Sequence, residues 1–122
     1  QRIVEHVDSQ LPTPPNCVAW EDNCVVADSI DILINATPLG SGSGDVRFPV
    51  ALDGLRPDAL VADVTFNSPE TRLLHEANAR GCKTLDGVSM FVNQVAWGFK
   101  YWTGQETDLA MMREALEEFL GL

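Results

Sequence analysis

The sequence predicts an α/β fold in which a mostly parallel sheet has flanking helices and is followed by two C-terminal helices. Short apolar runs alternate with segments of helical periodicity, and this alternation requires crossover connections that leave neighbouring strands parallel. The chain has 122 residues, of which 45% are hydrophobic and 21% are charged. This length and composition are typical of one globular domain and not of a disordered segment.

The first quarter of the chain is predicted to hold two helical segments and one strand. Residues 2–11 have apolar side chains at near-helical spacing, which predicts the end of a helix. Three prolines between positions 12 and 15 would stop that helix. Residues 17–20 then predict a short strand, and residues 21–29 predict a helix of one or two turns.

The stretch DILINATPLG, residues 31–40, is predicted to be a strand that ends at a functional edge. Its apolar run predicts a buried strand over residues 31–35, and an Asn, a Thr-Pro pair and a Gly follow closely. Residues 37–40, taken alone, are better explained by an ordinary turn, because Pro and Gly punctuate loops of every kind. Residues 40–44 predict a flexible loop, and residues 48–55 predict a short irregular or helical connector.

A strand, a helix and another strand are predicted next. The apolar residues 59–64 predict a second buried strand. Ser68-Pro69-Glu70 then predicts a helix start, with Ser as N-cap, Pro in the first helical position and an acid in the first turn. This helix is expected to end at Gly81, and residues 82–85 predict a last short strand.

Two helices are predicted over residues 88–103 and 108–120. The first is apolar on nearly all sides, which predicts burial of most of its faces. One stripe of this helix carries Met90, Gln94, Trp97 and Tyr101. A buried Gln without partners costs on the order of 1–3 kcal/mol, so Gln94 would bond either a neighbouring loop or a polar ligand. The last helix is amphipathic, as expected of a packing helix.

Three predicted strands end in loops that would meet at one edge of the sheet, at residues 35–38, 65–67 and 86–90. In open parallel sheets, ligands bind outside the carboxyl ends of the strands, so the sequence predicts a ligand site at this edge. Asp63 and Asp86 stand near two of these ends, where a carboxylate serves either as a general base or as a cap. Capping is the commoner role; we assign it to Asp86 and give neither residue a catalytic role.

Charge and residue usage exclude several classes of partner. The formal net charge of −10 argues against nucleic acids and anionic membranes, which require a basic face. No apolar run approaches 18 residues, so no membrane span or signal peptide is expected. The three cysteines favour a reducing compartment, hence the cytoplasm, and two isolated His residues predict no metal site. Because the first residue is Gln1, we expect a segment of a longer protein.

Four stretches of this sequence, in this order, resemble the motifs of the shikimate dehydrogenase family. Residues 35–40 (NATPLG) are similar to the family's NATPxG stretch. Residues 63–74 (DVTFNSPETRLL) resemble its D-x-x-Y segment with a downstream T-x-L-L. Residues 86–94 (DGVSMFVNQ) resemble DGxxMLxxQ, and residues 102–104 (WTG) match the end of the same helix. The resemblance covers residues 31–104, and its strength lies in the combination of the four motifs.

The resemblance implies a two-domain enzyme, of which this chain supplies one part. Residues 1–104 would form the C-terminal half of a Rossmann-like NADP-binding domain, and residues 105–122 a closing C-terminal helix. The implied activity is the NADP-dependent, reversible reduction of 3-dehydroshikimate to shikimate in aromatic amino-acid biosynthesis. The family's catalytic Lys and Asp and its glycine-rich diphosphate turn belong upstream, so no catalytic residue is assigned here and the segment alone is expected to be inactive.

The resemblance also implies the roles of individual residues. The implied cofactor-binding residues are Asn35, Ala36, Thr37, Val64, Gly87 and Met90. Asn35, Ala36 and Thr37 would contact or shape the nicotinamide-ribose region, and Met90 would pack by the nicotinamide ring. Gln94 would hydrogen-bond the substrate. Phe66 falls where the family usually has a Tyr near the substrate carboxylate, and the missing hydroxyl removes a hydrogen bond worth about 0.5–1.5 kcal/mol.

The departures from the family pattern keep alternatives open. Two positions depart from the pattern in addition to Phe66. Ser41 stands where the family often has Met, and Pro69 lies one place later than the family's Pro. A quinate/shikimate dehydrogenase paralogue and a non-enzymatic binding module are therefore alternatives. NAD is not excluded as cofactor, because the loop that would distinguish it from NADP is upstream. A homodimer that covers an apolar patch around Trp97 and Tyr101 is also expected.

Overall fold

A computed structural model of the chain describes residue 15, residues 24–39 and residues 50–122. The helix predicted over residues 2–11, the strand over 17–20 and the loop over 40–44 lie outside the described residues. The described elements, in chain order, are β1 (Cys24–Val25), β2 (Ile32–Asn35), β3 (Val50–Ala51), β4 (Leu60–Asp63), α1 (Arg72–Ala79), β5 (Lys83–Leu85), α2 (Gly87–Thr103) and α3 (Leu109–Leu120).

Every strand pair in the described part of the chain is parallel, as predicted. β2, β4 and β5 form a sheet in the order β2-β4-β5, and β1 pairs with β3 separately. The register places Asn35 opposite Asp63 and Ala62 opposite Leu85. The carboxyl ends of β2, β4 and β5 therefore reach the same edge of the sheet.

Two predictions in the first half of the chain are wrong. Residues 24–25, predicted as part of a helix, form β1, and the predicted connector over residues 48–55 contains β3. The physical reason is non-local pairing: the strands run side by side, and the Val26 N–H donates to the Ala51 carbonyl oxygen at 3.0 Å. Bonds between segments this far apart override the local helical preference of the sequence.

The core lies between one face of the sheet and α1. The buried apolar residues of this core are Val26, Leu52, Leu55, Ala59, Val61, Leu73, Leu74, Ala77 and Cys82. The prediction of a buried β2 holds for one face, since Leu33 packs against this core. On the other face it is wrong: Ile32 and Ile34 are exposed, because side chains alternate along a strand and no described residue covers that side.

The helix boundaries follow from caps. Asp86 is the N-cap of α2 and accepts a hydrogen bond from the Ser89 N–H, as predicted. α1 begins later than predicted, because Thr71 is its N-cap, whereas the Ser68 hydroxyl donates to the Glu70 carbonyl oxygen. Asp108 caps α3, which confirms the predicted start of the last helix.

The prediction that α2 is buried on most faces is wrong. Among the described residues, its buried positions are Gly87, Val88 and Val92. Trp97, Tyr101 and Trp102 are 69%, 86% and 82% exposed, and Gln94 is exposed as well. The helix leaves the sheet after its first turns, so α3 is left as its main described neighbour. No helix in the described part of the chain is both long and apolar enough to cross a membrane.

Candidate functional site

Asn35 organises the loop that follows β2. Its side chain is 1% exposed, and its Oδ1 accepts hydrogen bonds from the Thr37 N–H at 3.0 Å and the Thr37 hydroxyl at 2.7 Å. Its Nδ2 donates to the Leu39 carbonyl oxygen and to Asp63 Oδ1, both at 3.1 Å. These four bonds use the full capacity of an amide, so Asn35 shapes the loop from within.

Asp63 joins the ends of β2 and β4 to the start of α1. Its carboxylate is 2% exposed; Oδ1 accepts from Asn35 Nδ2 and from the Thr65 N–H at 3.0 Å. Oδ2 accepts from the Thr71 hydroxyl at 2.8 Å. The bond to Thr65, two residues onward, is the turn-capping role that Asp commonly has. The bonds to Asn35 and Thr71 are not readable from sequence spacing, and they make Asp63 the centre of a buried network.

An open cavity of about 320 Å³ lies between the loops that follow β2 and β4. Its lining residues are Ala36, Thr37, Pro38, Val64, Thr65, Phe66 and Asn67. Three of the residues predicted to bind cofactor and one predicted to bind substrate therefore share one cavity. None of the lining residues has a charged side chain, so the cavity offers apolar surface and backbone or hydroxyl hydrogen bonds.

The start of α2 closes against the same edge. A Cβ on the buried Gly87 would lie 2.2 Å from the Thr65 carbonyl oxygen, so only Gly permits this approach of α2 to the loop after β4. The rings of Phe66 and Phe91 stack with centroids 5.3 Å apart, which adds a second contact. Met90 is partly exposed one turn into α2. Neither Met90 nor Gln94 lines the cavity.

A polar cluster at the start of α2 was not predicted from the sequence. Arg113 of α3 donates to the Ser89 hydroxyl at 2.6 Å and lies 3.6 Å from Asp86 Oδ1. The only signal for Arg113 was its place on the polar side of a helix predicted to be amphipathic, which does not single it out. Among the described residues, no three His, Cys, Asp or Glu side chains are grouped to hold a metal ion.

Parallel strands that open onto a ligand-sized cavity at their carboxyl ends define a partial Rossmann-like fold. The chain is 41% identical over 101 residues to shikimate dehydrogenase (NADP(+)) of Archaeoglobus fulgidus, covering 81% of this chain and 38% of the relative. It is 42% identical over 123 residues to the enzyme of that name from Methanopyrus kandleri, covering 98% and 42%. The chain belongs to the shikimate dehydrogenase family and spans about two fifths of the length of these relatives. No protein-family model matches it.

Solved structures support the same fold and widen the range of substrates among similar proteins. The ligand-free 5-ketofructose reductase of Gluconobacter sp. strain CHM43 superposes with a TM-score of 0.90 at 37% identity, covering 97% of this chain and 43% of that one. A shikimate dehydrogenase in complex with NADP⁺ gives 0.69 at 40% identity, covering 76% and 33%. The quinate dehydrogenase of Corynebacterium glutamicum, in complex with NAD, gives 0.66 at 38% identity, covering 78% and 32%.

Proposed function

We propose that the protein containing this chain is an NADP-dependent oxidoreductase that reversibly reduces 3-dehydroshikimate to shikimate. The observation that carries the proposal is the cavity at the carboxyl edge of the sheet. Its walls are the Asn35-organised loop and the Val64–Phe66 segment, the segments that the family resemblance assigns to cofactor and substrate. This chain would supply part of the cofactor site, and the catalytic residues would come from the remaining part of the protein.

The described residues fit the nicotinamide end of the cofactor. Ala36, Thr37 and Val64 would hold it, because they present an uncharged wall, and Gly87 is a position where a Cβ would block the close approach of α2. A bound NADPH would supply the hydride for the reduction, and NADP⁺ would accept it in the reverse direction. The chain's own part is to position the ring: the two hydrogen bonds that Asn35 Oδ1 accepts from Thr37 hold Thr37 in place, and Met90 would pack beside the ring. The names of the curated relatives support NADP, and the NAD-bound quinate dehydrogenase keeps NAD as the alternative.

Phe66 and Gln94 are the proposed substrate contacts of this chain. Phe66 is 40% exposed, lines the cavity and is held by its stack on Phe91. The amide of Gln94 lies on the exposed surface of α2 and would hydrogen-bond a hydroxyl-rich substrate. The cytoplasmic location indicated by the cysteine usage belongs to the same proposal.

A second candidate is the reduction of a neutral polyhydroxy ketone; the similarity to a quinate dehydrogenase separately keeps 3-dehydroquinate, which has a carboxylate, as an alternative substrate. The 5-ketofructose reductase superposes over almost the whole chain, and Phe66 lacks the hydroxyl that the family's Tyr would offer to a substrate carboxylate. A ring without that hydroxyl places an apolar edge at the substrate side of the cavity. This would weaken selection for a carboxylate and favour a substrate without one.

Steady-state kinetics of the full-length protein tests the proposal, with shikimate and quinate oxidised by NADP⁺ or NAD⁺ and 5-ketofructose reduced by NADPH or NADH. We expect the highest kcat/KM for shikimate with NADP. The Phe66→Tyr variant is expected to lower the KM for shikimate about two- to tenfold, since one hydrogen bond is worth about 0.5–1.5 kcal/mol. Phe91→Tyr adds a hydroxyl to the other ring of the stack and is the matched control. A higher kcat/KM for 5-ketofructose, unchanged in Phe66→Tyr, would select the second candidate.

A further inference from the structure

We infer that Arg113, on the last helix, is a positioning residue for the reactive end of the cofactor site. The inference rests on the proposed function and adds α3 to the machinery of the site. Arg113 projects from α3 to the first turn of α2, where its Nη1 donates to the Ser89 hydroxyl at 2.6 Å. The same nitrogen lies 3.6 Å from Asp86 Oδ1.

The three side chains form a closed set of contacts. Asp86 Oδ1 accepts from the Ser89 N–H at 2.7 Å, and Asp86 Oδ2 accepts from the Ser89 hydroxyl at 2.8 Å. The Ser89 hydroxyl thus donates to Asp86 and accepts from Arg113, which fixes its orientation. Glu117 accepts from Arg113 Nε at 2.7 Å and holds the guanidinium from its own helix. A planar guanidinium suits this arrangement, because its donors point in fixed directions.

This set of contacts is located where α2 meets the cavity wall. Gly87 lies between Asp86 and Ser89 and approaches the Thr65 carbonyl oxygen too closely for any other residue. Met90 follows Ser89 directly, and Phe91 stacks on Phe66. Displacement of the first turn of α2 would therefore move Gly87 and Met90 relative to the loop after β4. Small displacements of this kind slow a reaction that requires aligned reacting atoms.

Other ion pairs of the described chain provide a matched comparison. Arg72 and Glu76 on α1 form an i,i+4 pair at 3.0 Å, and Arg113 and Glu117 form one at 2.7 Å. Arg72→Ala and Arg113→Ala each remove such a pair, but Arg113→Ala also releases Ser89 and Asp86. Arg72 also has a contact outside this pair, so a loss of kcat that is larger in Arg113→Ala than in Arg72→Ala reports the contact between α3 and α2.

The test is steady-state kinetics of 3-dehydroshikimate reduction by the full-length protein, with NADPH and with NADPH deuterated at the position of the transferred hydride. We expect Arg113→Ala to lower kcat about tenfold and to raise the primary isotope effect on kcat, because hydride transfer becomes rate-limiting. Arg113→Lys, which keeps the charge but lacks the planar guanidinium that reaches Ser89 and Glu117 through two nitrogens, should be intermediate. Ser89→Ala should act like Arg113→Ala, and the double variant should be no worse than either, since coupled residues are not additive. Arg72→Ala should stay within about twofold of wild type, with an unfolding temperature like that of Arg113→Ala.

The experiment distinguishes a failure of the role of Arg113 from a failure of the proposed function. An active wild type in which Arg113→Ala and Arg72→Ala have equal kcat and equal isotope effects overturns the role of Arg113 and leaves the proposed function standing. A wild type that neither binds NADP by calorimetry nor turns over shikimate, quinate or 5-ketofructose overturns the proposed function and this inference with it. A lower kcat in Arg113→Ala with an unchanged isotope effect also contradicts the inference, because it indicates loss of folded enzyme only.

Discussion

Removal of the Asp63 carboxylate should destabilise the protein far more than removal of a surface carboxylate. In Asp63→Ala the Thr65 N–H and the Thr71 hydroxyl lose their acceptor, whereas Asn35 Nδ2 keeps the Leu39 carbonyl oxygen. The Asn35 Nδ2 hydrogen that donated to Asp63 also loses its acceptor. Three orphaned buried donors at about 1–3 kcal/mol each predict a loss of about 3–9 kcal/mol in the free energy of unfolding. The two loops that line the cavity would also lose their common anchor, so the affinity for NADP should fall in parallel.

The Asp63→Asn variant separates shape from charge. An Asn at this position keeps one oxygen for Asn35 and Thr65, and its amide can donate to the Thr71 hydroxyl oxygen, so that the hydroxyl exchanges its donor role for an acceptor role. The variant should therefore lie between wild type and Asp63→Ala, because it loses the charge contribution to these bonds and leaves the Thr71 hydroxyl hydrogen and one amide hydrogen without an acceptor.

The assay is urea unfolding of the full-length protein followed by circular dichroism, with Asp31→Ala as control. Asp31 pairs with Arg56 at 2.6 Å, and its side chain is 81% exposed. Such surface pairs contribute about 0–1 kcal/mol. An Asp63→Ala variant that unfolds within about 1 kcal/mol of wild type, like the control, would refute the view that this network holds the sheet edge together.

Three further predictions concern the remaining features of the chain. Gly87→Ala places a Cβ against the Thr65 carbonyl oxygen and should lower the free energy of unfolding by about 1–3 kcal/mol. The control is Gly98→Ala on the same helix, where the nearest atom to the new Cβ would lie at an ordinary 3.8 Å. This control should raise the free energy of unfolding by about 0.5–1 kcal/mol. The 122-residue chain alone should show negligible dehydrogenase activity, and clear turnover of shikimate with NADP by the purified chain would contradict this. The chain alone should also dimerise through the exposed aromatic side chains of α2 and α3; a monomer at high concentration in sedimentation equilibrium would count against this expectation.

Local signals predicted the second half of the fold well. Asp86 caps α2 as predicted, and the last helix starts where it was predicted to start, with Asp108 as its N-cap. An Asp before a helical pattern satisfies free N–H groups within three residues. The parallel sheet followed from the alternation of strands and helices, and the meeting of loops at one edge followed from the sheet. These inferences depend on chain neighbours and on general rules of connection.

The misses have non-local causes. β1 exists because Val50–Ala51 pairs with it, and no local pattern at Cys24 reveals that partner. Thr71 became the N-cap of α1 because its hydroxyl is fixed by Asp63, whereas the Ser68-Pro69 signal is purely local. The apolar character of α2 predicts that most of its faces are buried, but it does not identify the segment that buries them.

The residues of the site also divide into those that local sequence predicts and those that depend on non-local contacts. Ala36, Thr37, Val64 and Phe66 line one cavity, as expected for residues that directly follow neighbouring parallel strands. For Asp63, the centre of the buried network, the sequence favoured only a capping role, because the bonds to Asn35 and Thr71 depend on strand register. The contact of Arg113 with Ser89 spans two helices, and helical periodicity alone does not indicate which polar residue faces the neighbouring helix.

A crystal structure of the full-length protein with NADP⁺ and shikimate tests the central claim most directly. We expect the nicotinamide ring in the cavity between the loops after β2 and β4, within van der Waals contact of Val64 or Met90, and shikimate beside Phe66 and Gln94. A nicotinamide ring bound away from this edge, with the cavity filled only by solvent, would contradict it.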